Sequence, residues 1–207
     1  MVTSVVTAGS LETDVVVVGA GGAGLAAAIE AGEAGADVIL LEKMPFMGGS
    51  TMVCGGVFYA ADTSIQRALG IEDSADAMFD YWMWYNFPGL VDPALARTLA
   101  DQSGPTLGWL IDLGVEYPLT ITQGLPWQEG GLYISGLEDT PRGHTSRRSG
   151  RGTVEPMINK LNTLSNVQVM VETPAIHLLQ EEGQVAGVVA RSKDGEEILI
   201  SAKAVIL

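Results

Sequence analysis

Four consecutive valines, Val15–Val18, follow a polar opening and precede a run of glycines. A run that short and that apolar predicts a strand buried on both faces. The residues before it, 1–13, read as a flexible leader. After the glycines, the small residues of Leu25 to Ala36 predict a helix that begins near Gly22. Gly32 weakens its middle by about 1 kcal/mol relative to alanine. Asp37 to Leu41 is a second apolar run, closed by Glu42, and predicts a second strand. Lys43 to Thr51 then reads as a loop carrying Gly48-Gly49 and the hydroxyls of Ser50 and Thr51, with Gly55-Gly56 shortly after.

Ser64 to Gly114 has helical spacing. Ser74 is placed to cap a helix over Ala75 to Asn86 that Pro88-Gly89 ends, and Asp92 with Pro93 opens another. Gly104-Pro105 is expected to break or re-cap that helix, which resumes over Thr106 to Leu113 and stops at Gly114. The aromatic run Tyr81-Trp82-Met83-Trp84-Tyr85 is expected to pack against core, given the area such rings bury. Tyr117 to Gly136 is turn-rich, and Trp127, Glu129 and Tyr133 are candidates to face a ligand. A helix is predicted over Thr153 to Leu164. Strands follow at Val167–Val171, Ile176–Leu179, Val185–Arg191 and Glu197–Ser201, alternating like a β-meander. Ala202 to Leu207 reads as the start of a further buried strand. His177, with apolar neighbours in its strand, reads as structural.

The segment Gly19-Ala20-Gly21-Gly22-Ala23-Gly24 fits G-x-G-x-x-G. It stands between a predicted strand and a predicted helix, and Glu42 lies 18 residues after Gly24. Each part has a mechanical reason. Gly19 lets the chain turn out of the strand, Gly21 removes a Cβ that would block a pyrophosphate, and Gly24 lets the helix lie close to the sheet. The helix then aims free N–H groups and its positive dipole end at the phosphates. A carboxylate at the tip of the second strand accepts bonds from ribose hydroxyls. This is a dinucleotide site.

Composition narrows the partners. The chain has 207 residues, 47% hydrophobic and 17% charged, which is globular. A net charge of −14 argues against nucleic-acid or anionic-membrane partners. Cys54 is the single cysteine, so neither a disulfide framework nor a cysteine metal cluster is expected, and no metal site is assigned. No apolar run in the first unit is long enough to span a bilayer, and the first 14 residues lack the pattern of a secretory signal. A cytoplasmic location is the default expectation. Against this acidic background, Thr140 to Arg151 is a basic island with Arg142, His144, Arg147, Arg148 and Arg151. It admits two readings, an anion site of guanidinium forks or a solvated loop paired with surface acids. Arg142 and His144 are the substrate candidates.

The stretch from Val15 to Gly56 resembles the flavin-binding opening of the fumarate reductase and succinate dehydrogenase flavoprotein superfamily. The order Gly48-Gly49-Ser50-Thr51 then Gly55-Gly56 is more similar to the ketosteroid dehydrogenase members than to the respiratory ones. The resemblance implies that FAD is the cofactor. It implies that Ser50 and Thr51 approach the pyrophosphate, beside the motif residues Gly19, Ala20, Gly21, Gly22, Ala23 and Gly24. Glu42 would hold the adenosine ribose, Cys54, Gly55 and Gly56 would lie at the flavin ring and Ala175 at the adenine, and Lys43 and Gly49 are counted among the cofactor-binding residues. Respiratory members hold FAD through a histidine in this loop. No histidine precedes His144, so the resemblance implies non-covalent FAD.

The expected fold is α/β, a Rossmann-like FAD-binding fold of βαβ units around a parallel sheet, with a helical insertion and a β-meander. Residues 14–64 form its first part, 65–140 a helical and irregular insertion, and 141–207 the return, incomplete at the C-terminus. The expected function is an FAD-dependent oxidoreductase that moves a hydride between flavin and an activated C–C bond of a fumarate-like carboxylate or a ketosteroid-like small molecule. No catalytic acid or base is assigned. The alternatives are a non-catalytic FAD- or nucleotide-binding module, an inactive fragment, or an NAD enzyme, since Glu42 suits either ribose.

Overall fold

The structure is a computed structural model and describes residues 7–85, 89–122, 130–133 and 140–207. The elements in chain order are β1 (Thr7–Val18), α1 (Gly22–Glu33), β2 (Val38–Leu41), α2 (Gly49–Val53), β3 (Val57–Tyr59) and α3 (Ser64–Ala68). Then come α4 (Ala75–Tyr85), α5 (Pro93–Asp112), β4 (Ile121–Thr122), β5 (Gly131–Tyr133) and β6 (Gly143–Thr145). The chain closes with α6 (Ser149–Leu161), β7 (Val167–Met170), β8 (Ala175–Glu181), β9 (Gln184–Arg191) and β10 (Glu197–Ile206).

Two compact units result. One comes from the two ends of the chain, up to Thr51 and from Met157; the other is Met52–Pro156. The changeovers therefore fall outside the expected boundaries at 64 and 140. The reason is strand pairing. β3 is antiparallel to β6, which puts both flanks of the helical segment in the second unit.

The first unit is built on a six-stranded sheet in the order β7-β2-β1-β10-β9-β8. β7, β2, β1 and β10 run parallel, whereas β8, β9 and β10 pair antiparallel. The valine run lies opposite Val38–Leu41, with Val16 and Val17 fully buried. Val16, Ile39, Leu41, Val188, Ala190 and Ile200 form one core cluster.

Several expectations change here. Residues 7–13 are not leader but the first half of β1, paired with β10 from Thr7 onward. β2 joins β1 only from Val15, so among the described residues the earlier half pairs with β10 alone, and polar side chains at Ser10 and Glu12 stay exposed. β7 is a parallel edge strand beside β2 rather than part of the meander. Glu197–Ser201 and the residues after it form one strand, because β10 pairs with β9 over Glu197–Ser201 and with β1 throughout. Gly32 has a packing reason. A Cβ there would press on Val167 and Leu164, and the Asn166 side chain donates to the carbonyls of Gly32 and Ala36.

In the second unit the caps hold as expected. Ser74 Oγ accepts from Ala77 N, and Asp92 Oδ1 accepts from Ala94 N and Leu95 N. Helix α4 runs to Tyr85, and the expected stop at Pro88 lies outside the described residues. Trp127 and Glu129 lie outside them too, as does the side chain of Tyr133. Helix α5 passes through Gly104-Pro105 without the expected break. Its contacts explain this. Ser103 Oγ donates to Ala100 O and accepts from Ala61 N, while Gly104 lies so close to the carbonyl of Ala61 that no Cβ fits. Of the aromatic run, Trp82 stacks on Tyr59 at 5.7 Å and packs on the cluster of Ala61, Met78 and Ala100. Trp84 instead stands 76% exposed.

Helix α1 approaches the end of β1 most closely at Gly24. A Cβ on Gly24 would collide with the carbonyl of Gly19, whereas a Cβ on Gly21 meets nothing within 4 Å. Gly21 has φ −79°, which any residue adopts. Gly24→Ala is therefore expected to lower the melting temperature sharply, through the overpacking cost of about 1–3 kcal/mol or more. Gly21→Ala leaves it within about 0.5 kcal/mol of the parent. Urea denaturation of the two variants checks both.

Candidate functional site

The glycine turn is fixed from three sides within the first unit. Gly19 has φ +96° and donates its N–H to Leu41 O at 2.7 Å, tying the turn to the end of β2. The Glu42 carboxylate is 6% exposed and takes Ala20 N–H on Oε2 and Met44 N–H on Oε1, each at 2.8 Å. Gly48 N–H donates to Ala20 O at 2.7 Å. Gly49 has φ +52°, and a Cβ on it would stand 3.1 Å from Gly21 Cα. The second glycine pair thus lies flat on the first. Gly49, Ser50 and Thr51, expected in a loop, instead begin helix α2. That turn aims Thr51 Oγ1 at Gly22, whose N–H donates to it at 3.1 Å.

What this leaves is a cradle. Gly21, at the N-cap of α1, brings no side-chain cap, and the first turn carries no acid. The first N–H groups of a helix lack partners inside it, so Ala23 and Gly24 present donors and the positive end of the dipole beside the open space at Gly21. Each Glu42 oxygen keeps an unused lone pair after its backbone bond, which suits a ribose hydroxyl. The loop after β7 comes to the same place, since Thr173 N–H donates to Glu42 O and Glu172 N–H to Met44 O. It leads into Ala175, half-buried at the start of β8. Lys43 is exposed beside Glu42. The residues present fit the ADP half of FAD. Sequence reasoning missed Met44, Gly48 and Thr173, whose parts are played by backbone groups. For Gly48 the doubled glycine was the signal.

Cys54, Gly55 and Gly56 belong to the second unit. Cys54 is exposed, its sulfur accepts Gly56 N–H at 3.3 Å, and its carbonyl accepts Gly150 N–H at 3.2 Å. Gly56 has φ +71° and is pressed against Ser149 and Gly150 with no room for a Cβ.

The basic island does not stay together as a surface. Arg147 pairs with Glu116, and Arg148 and Arg151 both pair with Glu155, all at the exterior. Arg142 goes inside. Its Nε and Nη2 donate to the two oxygens of buried Asp73, each at 2.8 Å, and its guanidinium lies 5.7 Å from the Tyr81 ring. Asp73 also accepts from Gln66 Nε2, which donates in turn to Pro141 O. His144 is 1% exposed. Its Nδ1 stands 2.7 Å from the Arg142 carbonyl and its Nε2 2.9 Å from Thr63 Oγ1. A carbonyl only accepts, so Nδ1 carries the proton and Nε2 accepts from the Thr63 hydroxyl. Thr63 Oγ1 accepts from Gln66 N, closing a capping box at the start of α3.

Burial pushes the His144 imidazole down from 6.5 to about 4, against backbone hydrogen bonds that favour its charge. Neutral His144 thus supports the fold fully above its unfolded pKa. Between about pH 6.5 and pH 4 the unfolded chain binds the extra proton, so stability falls as pH drops through that window. The loss is on the order of 3 kcal/mol in all. Urea midpoints measured from pH 7.5 to 4.5 should show this slope, and His144→Gln should flatten it.

Comparisons with known proteins agree with the geometry. A family model described as an FAD binding domain matches residues 14–207. Urocanate reductase of Eggerthella lenta is 34% identical over 198 residues, covering 95% of this chain and 31% of that protein. Fumarate reductase (cytochrome) of Shewanella frigidimarina is 33% identical over 198 residues, covering 94% of this chain and 32% of that protein. The crystal structure of 3-ketosteroid-Δ4-(5α)-dehydrogenase from Rhodococcus jostii RHA1 superposes with a TM-score of 0.86 at 31% identity, over 93% of this chain and 44% of that one. The chain spans about a third of the length of these curated relatives. Among the described residues no helix is long and apolar enough to cross a membrane. With the cradle and these matches together, the chain belongs to the FAD-binding family of the fumarate reductase and ketosteroid dehydrogenase flavoproteins.

Proposed function

We propose that the protein is an FAD-dependent oxidoreductase that moves a hydride between flavin and an activated C–C bond of a small molecule, fumarate-like or ketosteroid-like, with FAD held non-covalently. The observation that carries this reading is the cradle. The space at Gly21 is open, the α1 terminus has no cap of its own, and Glu42 is anchored at the tip of β2. Bound FAD would supply hydride acceptance or donation at its ring. The chain's own groups do the holding. Gly21, Ala23 and Gly24 receive the pyrophosphate on backbone N–H groups, with Gly49 and Ser50 beside them and Thr51 Oγ1 holding the Gly22 N–H. Glu42 takes the ribose, with Lys43 exposed beside it in the chain, and the backbone near Ala175 meets the adenine.

The two reductases and the dehydrogenase among the relatives support a redox reaction at carbon, and their substrates bracket the class proposed. Neither a carboxylate nor a steroid is favoured by the basic island. Arg142 already has Asp73 as its anion, and the remaining arginines pair with surface acids.

A direct test is an absorbance scan of the purified protein before and after adding FAD and desalting. The expected result is retained flavin absorbance that moves to the supernatant when the protein is precipitated with acid. Gly21→Ala should weaken FAD binding by about tenfold or more, about 1.4 kcal/mol. A protein that stays colourless with FAD contradicts the proposal, and flavin that stays with the acid pellet contradicts its non-covalent part.

A further inference from the structure

We infer that the turn from Val171 to Pro174 is a positioning device for the Glu42 carboxylate, and that it sets the site's preference for a nucleotide with free ribose hydroxyls. This rests on the FAD reading above. All the residues concerned lie in the first unit.

β7 runs parallel to β2, with Leu41 opposite Met170. In a regular parallel ladder a residue gives its N–H to one carbonyl of the neighbouring strand and accepts from the residue two further along that strand. Glu42 N–H donates to Met170 O at 2.9 Å, so its carbonyl would accept from Glu172. It accepts instead from Thr173 N–H, also at 2.9 Å. The chain after β7 therefore carries one extra residue. A bulge of this kind bends the strand and re-aims the groups beside it. Glu172 absorbs the bend with φ +51°, a left-handed conformation uncommon outside glycine.

The diverted N–H has a use. Glu172 N–H donates to Met44 O at 3.1 Å, and Met44 N–H donates to Glu42 Oε1 at 2.8 Å. The other oxygen, Oε2, takes Ala20 N–H at 2.8 Å. One anchor of the carboxylate thus comes from the glycine turn, and the other from a residue whose carbonyl the bulge holds. Further bonds close the bulge on itself. Thr173 is 5% exposed and donates from Oγ1 to Val171 O at 2.8 Å. Pro174 O accepts Arg191 N–H at 2.9 Å, which ties the exit of the turn to the end of β9. Lys193 Nζ pairs with Glu172 Oε2 at 2.8 Å, an exposed contact that adds little by itself.

A carboxylate held at both oxygens keeps one orientation, so its remaining lone pairs point in fixed directions. A carboxylate left to swing would have to be ordered at each binding event. The bulge therefore acts on the ribose, through Glu42, and leaves the N–H groups at the start of α1 as they are.

Isothermal titration of the protein, stripped of any bound flavin, tests this with FAD, ADP and dideoxy-ADP, which lacks both ribose hydroxyls. The parent should bind ADP about tenfold more tightly than dideoxy-ADP, because hydrogen bonds to a charged acceptor go with the hydroxyls. Glu172→Val disfavours positive φ and Thr173→Val removes Oγ1; both should bring the ratio to within about twofold. Glu172→Gly and Thr173→Ser should recover it. Partial unfolding weakens both nucleotides alike, so the ratio reports positioning rather than stability. If Glu172→Val and Thr173→Val weaken both nucleotides equally, or neither, the inference fails while the FAD reading stands. A parent that binds FAD but does not distinguish ADP from dideoxy-ADP removes Glu42 as the ribose ligand and overturns the inference. A parent that binds no FAD removes the FAD reading, and the inference falls with it.

Discussion

The contact between Gly24 and the carbonyl of Gly19 is the constraint on which the site depends. With no side chain between them, α1 starts directly over the end of β1. That placement turns the first N–H groups of the helix toward the mouth of the strand, and it leaves Gly21 facing open space. A helix displaced by even one methyl group would aim its dipole elsewhere. The other contacts keep this arrangement in place. Glu42 holds Ala20 and Met44, Gly48 holds Ala20 from the other side, and Thr51 meets Gly22. The cradle proposed for the dinucleotide is thus assembled almost wholly from backbone, with glycines and one anchored acid in place of a set of charged side chains.

The second unit solves a different problem. Its strands are short, so ladder pairing supplies little, and buried polar groups join the segments that flank them. Taking Arg142 and Asp73 out of water is costly, and the pair adds little net stability over apolar residues of the same size. Breaking one partner is another matter, at about 3–5 kcal/mol, because the other charge is left buried.

The features legible in the sequence were those encoded locally. The valine run, the glycine spacing and Glu42 lie within one βαβ unit, and so do their physical reasons. Helix caps at Ser74 and Asp92 were legible for the same cause. What escaped reading depended on distant partners. Residues 7–13 look like leader until β10 lies beside them. Pro105 looks like a break until Ser103 and Gly104 are seen bound to Ala61. Arg142 and His144 look like an anion site because nothing nearby in sequence announces Asp73 or Thr63. The short helix at Gly49 was hidden by its own glycines, which mark the close approach to Gly21 rather than a loose connection.

The central claim is that FAD is held by the backbone of this glycine turn. The most direct measurement is an FAD titration of protein labelled with nitrogen-15 glycine, followed by two-dimensional NMR. The account predicts that Gly21, Gly22 and Gly24 show the largest saturable shifts, while Gly183 and Gly195 in the meander turns stay unmoved. Saturable FAD binding that leaves the Gly21, Gly22 and Gly24 signals in place would contradict it.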